Sequence, residues 1–159
     1  MAREYTVGAS NITVAGATTL VYIRPSTTMA LEVIRMWVSF SANATSAQQR
    51  VRVEIQSGTA PTLTGATPAK LKQADPVSAI VSGTTGAAGT CGINASAESG
   101  TKAAIWDDAF NHLNGWLWVA TPRETIILPA GGSALGIFFP AAPATTSGWT
   151  AGLNFAELG

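Results

Sequence analysis

Strict alternation of apolar and polar residues is the feature that most limits what this chain can become. From Gln49 to Gln56, Val51, Val53 and Ile55 fall on one side of an extended backbone. Arg50, Arg52, Glu54 and Gln56 fall on the other. A period of two describes a strand with one buried and one wet face. Helical spacing of apolar residues is scarce elsewhere, so strands must supply the core. The run from Ala30 to Phe40 is longer. Alternation there puts Ile34, Met36, Val38 and Phe40 on one face, and Leu31, Val33 and Trp37 with Arg35 on the other. Apolar groups on both faces predict a central strand covered on both sides, one of them by a neighbouring subunit.

Further strands are expected over residues 18–23, 116–120, 124–128, 133–139 and 149–157, with a weaker signal at 76–80. Pro129-Ala130-Gly131-Gly132 reads as a turn, because glycine tolerates the positive φ of tight connections. Pro140 stops the strand before it, since it has no N–H for the ladder. One segment, 103–113, is expected to be a short helix with Ile105, Phe110 and Leu113 on one side and Asp107 near its cap. Two stretches, about 57–76 and 82–101, read as long loops rich in Gly, Thr and Ser, and the second holds only Ile93 as a large apolar side chain. The expectation is one all-β domain over residues 1–159, an antiparallel β-sandwich of jelly-roll type with at most a short helix.

Chemistry is scarce. The 159 residues include nine basic and nine acidic side chains, one His and one Cys. Enzymes rely on groups that titrate, ligate or attack near neutral pH, so no catalytic residues, no metal and no cofactor are expected. His112 follows Asp108 by four residues, but no further His or Cys pair exists to complete a metal site. No Gly-x-Ser-x-Gly elbow or phosphate-binding loop is present, and the adjacent Asp107 and Asp108 make a weak glycosidase pair. Arg50 and Arg52, flanked by Glu54, read as a solvated strand face, so no nucleic acid partner is expected. The uncharged stretch 125–156 is broken by Pro129, Pro140, Pro143 and several glycines, so no membrane span is expected. Cys91 has no partner for a disulfide, and Met1-Ala2-Arg3-Glu4-Tyr5 lacks the apolar core of a signal peptide. Both features point to synthesis in a reducing cytoplasm. The sequons at Asn11, Asn43 and Asn94 then read as chance matches.

Trp116 and Trp118, two apart, face one way on a strand. They suit core or interface packing, or alternatively a sugar platform. A Trp-containing strand, then Glu124-Thr125-Ile126-Ile127-Leu128-Pro129-Ala130-Gly131-Gly132, then a closing Gly152-Leu153-Asn154-Phe155-Ala156-Glu157-Leu158 resemble the small jelly-roll virion proteins of tailed bacteriophages. The likeness is greatest to head decoration, or cement, proteins. It implies a structural role on the outer surface of a phage head, a homotrimer, and the major capsid protein or other virion proteins as partners. The virion would be its location after synthesis in the host cytoplasm. Candidate interface residues are Arg35, Trp37, Cys91, Ile93, Trp116 and Trp118. Two other roles remain open: a different virion component (coat, tail or fibre), and a carbohydrate-binding sandwich.

Overall fold

A computed structural model describes residues 3–42 and 45–159, so Met1, Ala2 and the sequon at Asn43 lie outside the described residues. Among those described, none is helical. The strands are β1 (Arg3–Ile12), β2 (Thr18–Ile23), β3 (Ala30–Phe40), β4 (Gln48–Ser57), β5 (Thr62–Gly65), β6 (Ala69–Lys70) and β7 (Val81–Ser82). They continue as β8 (Thr90–Ala97), β9 (Thr101–Asn111), β10 (Trp116–Val119), β11 (Ile126–Leu128), β12 (Ala134–Phe139) and β13 (Trp149–Leu158). Two sheets face one another. Sheet A runs β10-β3-β13-β1-β6, with β11 also on β3. Sheet B runs β5-β8-β2-β12-β4-β9, with β7 on β8.

Setting aside β5–β8, and taking β10 and β11 as one interrupted strand, eight strands remain. In chain order the first pairs with the eighth, the second with the seventh, the third with the sixth and the fourth with the fifth. This is a long hairpin rolled on itself, which is the jelly roll. The β5–β8 excursion widens both sheets on one flank. β8 lies beside β2, and β6 lies beside β1. The strap between β6 and β7 carries the chain from one sheet to the other. Leu71 N–H donates to Glu4 O at 3.0 Å, Tyr5 Oη donates to Pro76 O at 3.1 Å, and the buried Glu157 carboxylate accepts from Ser78 Oγ at 2.6 Å.

One apolar core fills the space between the sheets, and Trp149 lies fully buried within it. Phe40 and Phe139 each pack 4.9 Å from its ring. A small second cluster of Tyr22, Leu63 and Ala134 lies apart from this core. Every residue of β2 and β12 is accordingly buried.

The structure corrects several expectations. Residues 103–113 do not form a helix. β9 pairs with β4 over its whole length, so the ladder overrides a weak helical spacing. Asp107 caps nothing; it accepts from Arg50 at 2.6 Å and Arg52 at 2.9 Å. The segments 57–76 and 82–101 are not loops throughout, for they contain β5, β6 and β8. Residues 76–80 are not a strand. On the face of β4 opposite Val53, Gln48, Arg50 and Arg52 meet solvent, but Glu54 and Gln56 are buried. In β3, register slips against β13 between Asn154 and Phe155, leaving Ile34 as an extra residue. Such a bulge changes the phase of alternation. Leu31 and Val33 therefore join Met36 and Val38 in one core rather than opposing them. β3 is central, but its second face is not an equal apolar surface. The turn at Pro129 is as expected, with Gly132 N–H donating to Pro129 O at 2.9 Å and Gly131 at φ 67°. It joins strands of different sheets rather than a hairpin.

Candidate interface on the β9–β10 flank

β9 ends sheet B and β10 ends sheet A, and side chains tie the two edges together. Trp116 Nε1–H donates to Asp108 Oδ2 at 3.1 Å. The rings of Trp106 and Trp118 meet edge to face at 6.4 Å. Both edges therefore lie on one flank of the sandwich. Trp116 and Trp118 point inward and are 7% and 6% exposed, so the pair closes the core and offers no sugar platform. The intervening positions on β10 point the other way, and Leu117 and Val119 are 63% and 52% exposed.

Among the described residues nine large apolar side chains are exposed. Six lie on this flank or on the segments that join its strands: Ile105, Trp106, Leu113, Leu117, Val119 and Ile127. The other three, Leu71, Val77 and Val81, lie on the strap or just beyond it, across the molecule. Scattered exposed apolar residues are ordinary, but their collection on one flank makes it the candidate contact surface. β9 reinforces this. It is an edge strand of eleven residues, exposed along most of its length, where edges are commonly short or covered.

The candidates from sequence fall in two places. Arg35 and Trp37 lie beside the flank, opposite Val119 and Leu117 in the β3–β10 register. The Arg35 guanidinium sits 5.3 Å from the Trp37 ring, and that ring lies over Gly152, where any Cβ would strike it. Cys91 and Ile93 are on β8, toward the other flank. Cys91 is fully buried, its thiol donates to Ala66 O at 2.9 Å, and burial pushes its pKa up to about 12. It is a core residue. Ile93 is half-buried against the core.

His112 is buried against Phe40, at 4.7 Å between rings, and edge-on to Trp149 at 6.1 Å. Asp108 is engaged by Trp116, so the two do not form a metal pair. Among the described residues no three His, Cys, Asp or Glu side chains converge. Partial desolvation pushes the Asp107 carboxyl up, but hydrogen bonds from Arg52 and Arg50 outweigh it and hold it below the ordinary range. This exposed cluster contributes little to stability.

Sequence reasoning missed the exposed residues Ile105, Trp106, Leu113, Leu117, Val119 and Ile127. A signal was present in Trp116-Leu117-Trp118-Val119, apolar on both faces in a strand too short to be central. The fold is an antiparallel β-sandwich with jelly-roll connectivity. No family model, curated protein or solved structure matches it.

Proposed function

We infer that the protein is a structural subunit that works by protein–protein contact, and propose a capsid decoration protein on the outer surface of a phage head. The observation that carries this reading is the apolar β9–β10 flank. Its half-exposed Trp106 and exposed Leu117 and Ile127 suit a buried contact centre. A jelly roll is compatible with this role but is shared by capsid proteins and lectins alike. The inward aim of Trp116 and Trp118 removes the sequence argument for a sugar platform.

The homotrimer follows as part of the proposal. The flank and the strap present different apolar groups on opposite sides of the subunit. A contact between unlike surfaces is heterologous and closes into a ring when its rotation permits. Many copies on one particle then add avidity without a reactive site.

The test is co-sedimentation with heads of a tailed phage that encodes this chain. The parent protein is expected to pellet with the heads at a fixed stoichiometry, and Leu117→Lys with Ile127→Lys to remain in solution. Binding to tails or fibres alone moves the role to another virion component. Failure to bind any virion part removes the proposal.

A further inference from the structure

Sheet B is distorted twice at neighbouring places. β2 and β12 slip register between Ile137 and Phe138, and β4 and β9 slip between Val53 and Glu54. Bulges re-aim side chains, and here they accompany a polar cluster around Gly136. Glu54 pairs with Gly136 across the β4–β12 ladder. Gln56 Nε2–H donates to Thr19 Oγ1 at 3.2 Å, and a Cβ on Gly136 would lie 2.5 Å from that nitrogen. Glu98, in the β8–β9 connection, accepts the Thr19 amide, the Thr19 hydroxyl at 2.9 Å and the Lys102 ammonium. Lys102 Nζ lies 4.0 Å from the centre of the Phe138 ring.

Glu54 is 2% exposed and Gln56 is 4% exposed. Glu54 Oε2 and Gln56 Oε1 both lack a hydrogen-bond partner. Two buried acceptors without donors are costly in a desolvated place. Gln56 lies two residues beyond Glu54 on β4, and its amide is already engaged with Thr19 Oγ1. A proton on Glu54 Oε2 removes the charge from a buried carboxyl whose second oxygen no donor satisfies. The charges around Glu54 fit this arrangement. Lys102 on β9 is committed to Glu98, and Arg52 on β4 is committed to Asp107. Thr19 on β2 and Gly136 and Phe138 on β12 bring no charge. Burial is the largest influence on Glu54 and pushes its carboxyl up, aided by Glu98; Lys102, Gln56 and Arg52 offset this only in part.

We propose that Glu54 is a buried proton-binding site that makes the β8–β9 connection a pH-responsive clasp on β2. With Glu54 neutral, Lys102 belongs to Glu98 alone, and Glu98 holds the Thr19 amide. When Glu54 gives its proton to solvent as pH rises, the buried Glu54 and the half-buried Glu98 compete for one ammonium, and the hold on Thr19 weakens. Below that transition the clasp is closed; above it the connection opens more readily.

The test uses the full chain: an NMR titration of the glutamate side-chain carboxyls, with hydrogen exchange at the Thr19 amide on the same samples. Glu54 is expected to titrate above the ordinary glutamate range. Thr19 exchange should accelerate in step with that titration, beyond the intrinsic rise with pH. Glu54→Gln removes the titrating charge and should keep Thr19 protected across the same range. A Glu54 carboxyl that titrates in the ordinary range overturns the proposal. So does Thr19 protection that follows one profile in parent and variant. If Glu54→Gln does not fold, the carboxyl titration of the parent decides alone.

Discussion

At the scale of single residues, burial separates positions that sequence alone ranks as equals. Val53 is fully buried between the sheets, while Arg52 reaches the half-exposed Asp107. Val53→Asp places an unpaired charge in the core and should cost several kcal/mol, about 3–5. Arg52→Ala removes one exposed ion pair and should cost less than about 1 kcal/mol. Urea titration of both variants checks this, and equal losses would refute the assigned faces of β4. Cys91 gives a pH prediction. Burial pushes its thiol from 9.0 to about 12, so the folded state holds a proton that the unfolded state releases in that interval. Its contribution is present below about pH 9 and is lost as pH rises toward 12. The slope is at most about 1.4 kcal/mol per pH unit from this one group. Stability of the parent and of Cys91→Ala, measured from pH 8 upward, should diverge in slope over that interval. The variant should show the shallower fall, and parallel slopes count against it.

At the scale of elements, the legible strands were those that carry large apolar residues in phase. β2, β3, β4, β10, β11, β12 and β13 announce themselves that way. The others were hidden for separate reasons. β8 uses small residues, Cys91 and Gly92 among them, and is held by ladders to β2 and β5. A Cβ on Gly92 would come within 2.7 Å of Gly83 O, so what looks like loop composition permits close packing. β9 mimics a helix because a bulge at Ile105 breaks its alternation. The bulge in β3 is equally silent, since one extra residue leaves composition unchanged and inverts every face beyond it. Only the margin of the candidate contact surface was legible, through Arg35 and Trp37. The exposed partners on β9 and β11 were not, because their exposure depends on which strands become edges. Two consequences can be measured. Deleting residues 84–92 removes the first three residues of β8, so it should lower the melting temperature markedly instead of sparing the fold. A deletion as stable as the parent would show that β8 is dispensable. Gly152→Ala drives a Cβ into the Trp37 ring and should cost about 1–3 kcal/mol. Gly16→Ala meets open space and should cost far less. Thermal denaturation of the pair separates steric from general glycine effects.

For the whole molecule, charge and shape argue together. The formal net charge is zero, which gives little protection against association near neutral pH. Exposed apolar side chains collect on two opposite flanks of a jelly roll. A subunit built to assemble through unlike surfaces has this character, and the proposed role on a phage head requires it. The central claim is that the β9–β10 flank is a contact surface, and sedimentation velocity tests it most directly. The account predicts that the purified parent sediments as a closed oligomer, a trimer. It predicts that Leu117→Lys with Ile127→Lys, both at exposed positions, yields a monomer with an unchanged circular dichroism spectrum. A parent that stays monomeric at every concentration, or a double variant that assembles as the parent does, contradicts it.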